Sequence, residues 1–223
     1  MIKAIETEYN GYRFRSRLEA RWAIFFDALR INYRYEPQGF DLDNIYYLPD
    51  FYLPDHDYWI EVKGRELDPG SEDWEKVTRL ASALNKEVYV TVGDVWPPYD
   101  GERTINKWVS QPVPEPVYGL ESPDEWIDRW ERENPFPEVG NYYRPYRPYG
   151  GISSHHWWYE CPACLGYSLV VFGHPHCERC NTLPEEIEEH LGIKLGLQFS
   201  NTPNLLEAYK RARSARFEHG EAP

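Results

Sequence analysis

The sequence predicts an α/β protein: a sheet with helices on its faces, followed by a small metal-held appendage. Three observations carry this. Helical and strand-like hydrophobic periods alternate from Arg15 to Val92. A proline-rich change of texture follows Trp96. All four cysteines, Cys161, Cys164, Cys177 and Cys180, fall in two Cys-x-x-Cys pairs.

Arg15–Ile31 reads as a helix, because Leu18, Trp22, Phe25, Phe26 and Leu29 recur at helical spacing and form one apolar face. Tyr33–Phe40 alternates as a strand would, Ile45–Leu53 reads as a second strand and Tyr58–Lys63 as a third, with Pro54–Asp57 turning between the last two. Ser71 is placed to cap a helix running to about Lys86, with Trp74, Val77, Leu80, Ala81 and Leu84 inward. Glu87–Val92 is a short apolar strand. The core order is therefore helix, three-strand meander, helix, strand, within a first domain of residues 1–110.

Residues 111–150 form a linker. Prolines prevent long elements there, Ser122-Pro123-Asp124-Glu125 starts a short helix to about Arg132, and Asn141–Gly151 interleaves Tyr and Arg in an extended stretch. Residues 151–200 hold the cysteines. Residues 201–223 begin at Thr202-Pro203 with a basic helix to about Phe217.

Hydrophobic residues make up 41% of the 223, enough for a core, and no apolar run is long enough to cross a bilayer. The first residues lack the apolar stretch of a signal peptide, so a cytoplasmic location is expected. The net charge of −13 argues against coating nucleic acid by bulk attraction. Basic residues do gather locally, at Lys210, Arg211, Arg213 and Arg216.

The stretch Tyr46–Gly64 places acids in an aromatic sheet. Glu61 and Lys63 share one face of a strand, because side chains alternate. If Ile45–Leu53 and Tyr58–Lys63 pair as a hairpin, Asp50 lies beside Glu61. Two close carboxylates repel unless a cation sits between them, and oxygen ligands suit magnesium or manganese. Lys63 adds positive charge where a phosphate or an attacking water would sit, a setting for metal-assisted phosphodiester hydrolysis. Glu19, with Trp22, Ala23 and Phe26 three, four and seven residues on, stands at the edge of the helix's apolar face. Plainer readings exist for each. Pro-Asp occurs in turns, Glu-x-Lys on solvated strands, and Ser16-Arg17-Leu18-Glu19 forms a capping box.

Glu19 on the first helix, then Pro49-Asp50, then Glu61-Val62-Lys63, in this element order, resembles the PD-(D/E)xK nuclease superfamily. The stretches "FRSRLEARWAIFFD" and "YLPDFYL…WIEVKG" are similar to small endonucleases of phages and mobile elements. The resemblance covers about Tyr12–Val92 and implies a restriction-endonuclease-like core. It also implies that Asp50 and Glu61, with the Val62 main-chain carbonyl, bind magnesium, and that Glu19 binds or orients a second ion or its water. Lys63 would position the attacking water and stabilise the transition state. One-metal and two-metal versions are both open. Arg15 and Arg17 would hold a phosphate, or be ordinary solvated arginines.

The two Cys-x-x-Cys pairs are twelve residues apart, the spacing of a zinc ribbon. Four cysteines close the coordination sphere, so the zinc would be structural; His174 and His176 are competing ligands. The ribbon is expected to fold as a separate unit. With the Tyr/Arg linker, Trp157, Trp158 and the basic helix, it would grip DNA or dock a protein. The expected function is a metal-dependent DNA endonuclease, with structure-selective or junction-resolving cleavage as one form of it; the alternatives are a nuclease subunit of a transposition, recombination or defence complex and a non-catalytic DNA-binding or assembly module on the same fold. The partners would be DNA and a second copy of the chain or a larger nucleoprotein complex, with no membrane.

Overall fold

The computed structural model describes residues 4–65, 67–68, 70–86, 88–97, 108–110, 156–171, 177, 179–182, 186, 188–189, 192 and 197–217. The linker helix after Ser122, the Tyr/Arg stretch, His174 and His176 lie outside the described residues. The architecture is mixed α/β, with several small sheets and helices on them.

The chain opens with a hairpin that periodicity did not suggest. Strand β1 (Thr7–Tyr9) pairs antiparallel with β2 (Tyr12–Phe14). Its turn residues Asn10 and Gly11 both take positive φ, 48° and 79°, as a tight two-residue hairpin requires. Helix α1 (Arg17–Ala28) follows, capped by Ser16, whose Oγ accepts from the Glu19 N–H. Ala20, Trp22, Ala23, Ile24, Phe25 and Phe26 are all buried along it.

The main sheet has five strands in the order β3 (Arg34–Tyr35), β6 (Phe51–Leu53), β7 (Tyr58–Lys63), β8 (Val88–Val92) and β9 (Trp108–Ser110). The strand expected over Tyr33–Phe40 is thus short. That over Ile45–Leu53 is broken: β4 (Phe40–Leu42) and β5 (Ile45–Tyr47) form their own hairpin around Asp43-Asn44, both left-handed, and Leu48–Asp50 leads from it into β6. Pro49 explains the break, since it has no N–H for the ladder and constrains Leu48 before it.

The β6–β7 pair is antiparallel, as expected. The β7–β8 pair is parallel, joined through helix α2 (Glu72–Leu84), which Ser71 caps and a left-handed Asn85 ends. The sheet is covered on both faces. Ile60 and Val62 pack into one apolar cluster with α1, while Trp59 packs into another with Trp74, Val77, Leu80 and Ala81 of α2.

The cysteine-bearing hairpin, β10 (His156–Glu160) with β11 (Tyr167–Val171), does not have its core to itself. Trp158 and Leu169 belong to the α1 cluster, and the Trp158 ring centroid lies 5.9 Å from Phe25 and 6.0 Å from Phe26. Trp158 is fully buried, which corrects the expectation that it extends an exposed grip surface. A 3-10 turn, Leu197–Ser200, leads to helix α3 (Pro203–Ser214), capped by Thr202 with proline in its first turn. Leu205, Ala208, Tyr209 and Ala212 of α3 bury against α1, with Tyr209 4.6 Å from Phe25 between ring centroids. Its basic residues Lys210 and Arg211 remain exposed, and Arg213 stacks over the Trp96 ring. Among the described residues no helix is long and apolar enough to cross a membrane.

Candidate active site and cysteine cluster

The β6–β7 register pairs Phe51 with Ile60, so the residue before β6 falls opposite the residue after Ile60. That brings Asp50 and Glu61 together at the start of β6. The Asp50 N–H donates to Glu61 Oε2 at 3.3 Å, and the Val62 N–H donates to Asp50 Oδ2 at 2.7 Å. Each acid thus has one oxygen tied to the main chain. The other oxygen is held by a side-chain cation: Arg15 Nη2 lies 2.7 Å from Asp50 Oδ1, and Lys63 Nζ lies 2.9 Å from Glu61 Oε1. Asp50 Oδ1 and Glu61 Oε1 are therefore the oxygens an incoming cation could take, because no ladder bond has to break.

Both acids are buried, Asp50 at 2% and Glu61 at 3% exposure. Burial pushes the Asp50 carboxyl well above the usual carboxylate range, and the charges of Glu61 and Glu19 push it further. The Val62 N–H and Arg15 oppose this without cancelling it. Burial also works against the charge of Lys63, but Glu61 and then Asp73 outweigh it and raise its pKa.

Glu19 is buried in the same region, with its oxygens engaged by donors. Oε2 accepts from the Tyr35 hydroxyl at 2.6 Å and the Arg15 N–H at 3.0 Å, and Oε1 accepts from Ser16 Oγ at 2.6 Å. Half of the capping box is present, the Glu19 N–H donating to Ser16 Oγ; the Glu19 carboxylate takes the Arg15 N–H rather than the Ser16 N–H, together with the Ser16 and Tyr35 hydroxyls. Burial, and then the bond to Glu19, raises the Tyr35 hydroxyl's pKa. Arg17 opens α1 and is half-buried.

Three participants were not found in the sequence. Tyr35 binds Glu19 from β3. Glu36 forms an ion pair with Arg15, its Oε1 2.5 Å from Nε, without hydrogen-bond geometry. Asp73, in the first turn of α2, lies 3.4 Å from Lys63 Nζ. The buried Tyr47 hydroxyl completes the surroundings; burial and the charge of Glu61 push its pKa well up. Of these, only Asp73 carried a local signal, as an acid in a helix's first turn. Glu36 owes its place to a left-handed backbone, φ 43°, and an N–H bond to the Asp50 main-chain oxygen at 2.8 Å.

The four cysteines come together. Their Sγ atoms all lie within 4.8 Å of one another, Cys161 to Cys180 at 3.8 Å and Cys164 to Cys177 at 3.6 Å. A tetrahedron with metal–sulfur bonds of about 2.3 Å has edges of about 3.8 Å, so the quartet has the size for a metal such as zinc. The two knuckles are built alike. Leu165 and Asn181, each just after a pair, take left-handed φ of 55° and 53° and return their N–H groups to the Cys161 and Cys177 carbonyls, both at 2.8 Å. Among the described residues this quartet is the only group of three or more potential metal ligands drawn so close, and Glu19, Asp50 and Glu61 do not form another.

Glu160, next to Cys161, connects the quartet to α3. Its carboxylate accepts from the Thr202 hydroxyl, from Asn204 Nδ2 at 2.7 Å and from the Tyr167 hydroxyl at 3.5 Å. A carboxylate at a helix N-terminus also complements the helix dipole. No protein-family profile, curated protein or solved structure matches the chain.

Proposed function

We propose that the chain is a magnesium- or manganese-dependent DNA endonuclease. The observation that carries the reading is the buried Asp50–Glu61 pair, with one oxygen of each held by a side-chain cation that a metal could replace. An acid pair in this setting is costly without positive charge, and oxygen-only ligands suit a hard divalent cation. The motif resemblance over Tyr12–Val92 supports the same chemistry and the restriction-endonuclease-like description of the core.

In this reading Asp50 and Glu61, with the Val62 carbonyl, hold the metal. When bound, the metal would offset phosphate charge and make the attacking water more acidic. Lys63 orients that water and donates to the phosphate oxygens as charge builds on them. Arg15, freed from Asp50, donates to a phosphate beside the scissile one. Glu19, with hydrogen bonds on both oxygens, fixes the Arg15 main chain and Tyr35. That occupancy favours the one-metal version. The cysteine quartet holds zinc and acts as a structural brace.

A second reading is a nuclease subunit that cuts only within a larger nucleoprotein complex. The net charge of −13 favours it, because a lone nuclease gains from a basic surface. One panel tests both. The purified chain is incubated with magnesium and linear, single-stranded, flapped and four-way DNA, with no partner present. Cutting of any of these supports the independent enzyme. No cutting of the whole panel overturns it and leaves the subunit reading.

A further inference from the structure

Each acid of the central pair is held by a cation that also touches an acid outside the pair. Arg15 bridges Asp50 and Glu36, at 2.7 Å and 2.5 Å. Lys63 bridges Glu61 and Asp73, at 2.9 Å and 3.4 Å. The two outer acids differ in setting. The Asp73 side chain is 52% exposed, and solvent weakens its hold, while that of Glu36 is 22% exposed. Glu36 is also fixed in place by its left-handed φ of 43° and its N–H bond to Asp50. A bulky residue in that conformation costs energy, so the surroundings hold it there against a local preference.

We propose that Glu36 is a positioning residue that retains Arg15 at the rim of the site when a divalent cation takes the Asp50 carboxylate. Arg15 is then a displaceable internal counter-ion, and Glu36 is its second berth. This rests on the metal-dependent reading above.

When a metal binds, Arg15 rather than Asp50 is the group that moves. A divalent cation and a guanidinium cannot both sit on Asp50 Oδ1, since like charges so close repel. Asp50 is fixed by the Val62 N–H and is buried. The Arg15 side chain is 54% exposed, so its guanidinium has solvent to turn into once Asp50 is taken. With Glu36 present, Arg15 gives up Asp50 and keeps the contact through Nε. Its Nη donors then stay at the mouth of the site, where a phosphate would pass. Without Glu36, Arg15 has Asp50 as its remaining close carboxylate contact and competes with the metal at full strength.

The test is calcium binding by titration calorimetry on the full chain without DNA, on the wild type, Glu36→Gln, Arg15→Gln, the double variant and Asp50→Asn. Glu36→Gln should weaken calcium binding by roughly three- to tenfold, the scale of one partly exposed ion pair. Arg15→Gln should tighten it by a similar factor. In the Arg15→Gln background the Glu36 change should have no effect, because its role runs through Arg15. Glu36→Asp keeps the charge and shortens the reach, so it too should weaken binding. Equal losses from Glu36→Gln with and without Arg15 would mean that Glu36 acts by its own charge, and would overturn the inference alone. So would unchanged affinity in Glu36→Gln. Absence of binding in the wild type, or binding that survives Asp50→Asn unchanged, would overturn the metal reading and this inference together.

Discussion

If the cysteine quartet holds zinc, as proposed, chelation should destabilise the whole chain, not the hairpin alone. The sequence suggested a ribbon that unfolds by itself, but Trp158 and Leu169 lie in one apolar cluster with Phe25 and Phe26 of α1. If β10 and β11 let go, Trp158 leaves that cluster and α3 loses the Glu160 bonds at its N-terminus. Removing a buried tryptophan side chain costs about 3–5 kcal/mol, which sets the scale of the loss. That is a large share of the roughly 5–15 kcal/mol by which domains are stable. At about 2–4 °C per kcal/mol for a chain of this size, the melting temperature should drop by roughly 6–20 °C. The assay is a thermal melt with and without chelator, paired with elemental analysis and hydrogen exchange. Lost protection at Phe25, Phe26 and Leu205–Ala212, together with the drop, is the expected result. Protection lost only within Glu160–Cys180, with an unchanged melt, would refute the shared-core argument. So would a freshly purified chain with no bound metal.

Further outcomes follow from the same geometry. Burial, and then the charges of Glu61 and Glu19, hold the Asp50 carboxyl above the usual carboxylate range, so calcium binding should begin to weaken at a higher pH than an ordinary carboxylate would give as pH is lowered, and titrations at stepped pH would show it. A raised folded-state pKa favours folding at low pH and loses that benefit as pH rises through it. The melting temperature of metal-free Asp50→Asn, relative to wild type, should therefore rise from pH 4 to pH 8. Glu160→Ala should cost about 1–2 kcal/mol by removing acceptors at the α3 cap, read as faster hydrogen exchange in Pro203–Ser214.

How far the sequence reached depended on whether a feature was local. The nearness of Glu61 to Lys63 follows from strand alternation, and the Ser16–Glu19 contact from helix spacing. The Asp50–Glu61 contact needed only a hairpin register. The cysteine quartet followed from spacing. Two hairpins had local signals in Asn10-Gly11 and Asp43-Asn44, dipeptides suited to left-handed turns. Tyr35 and Glu36 could not be read this way, because their roles depend on β3 lying beside β6 and on one unusual φ. The adjacent Trp157-Trp158 pair reads as one exposed surface, yet Trp158 is fully buried. Period two puts the pair on opposite faces, which meant that at least one was a candidate for burial.

In the proposed reading, Asp50, Glu61 and Lys63 cut phosphodiester bonds with a divalent metal. Plasmid cleavage with magnesium, using wild type, Asp50→Ala and Lys63→Ala from matched preparations with DNA binding measured beside it, decides whether they do. The wild type should cut and chelation should abolish it, and both variants should fall by at least about a hundredfold with DNA binding largely kept, the scale of losing one group that acts in the transition state. Cutting by either variant at the wild-type rate would contradict that reading.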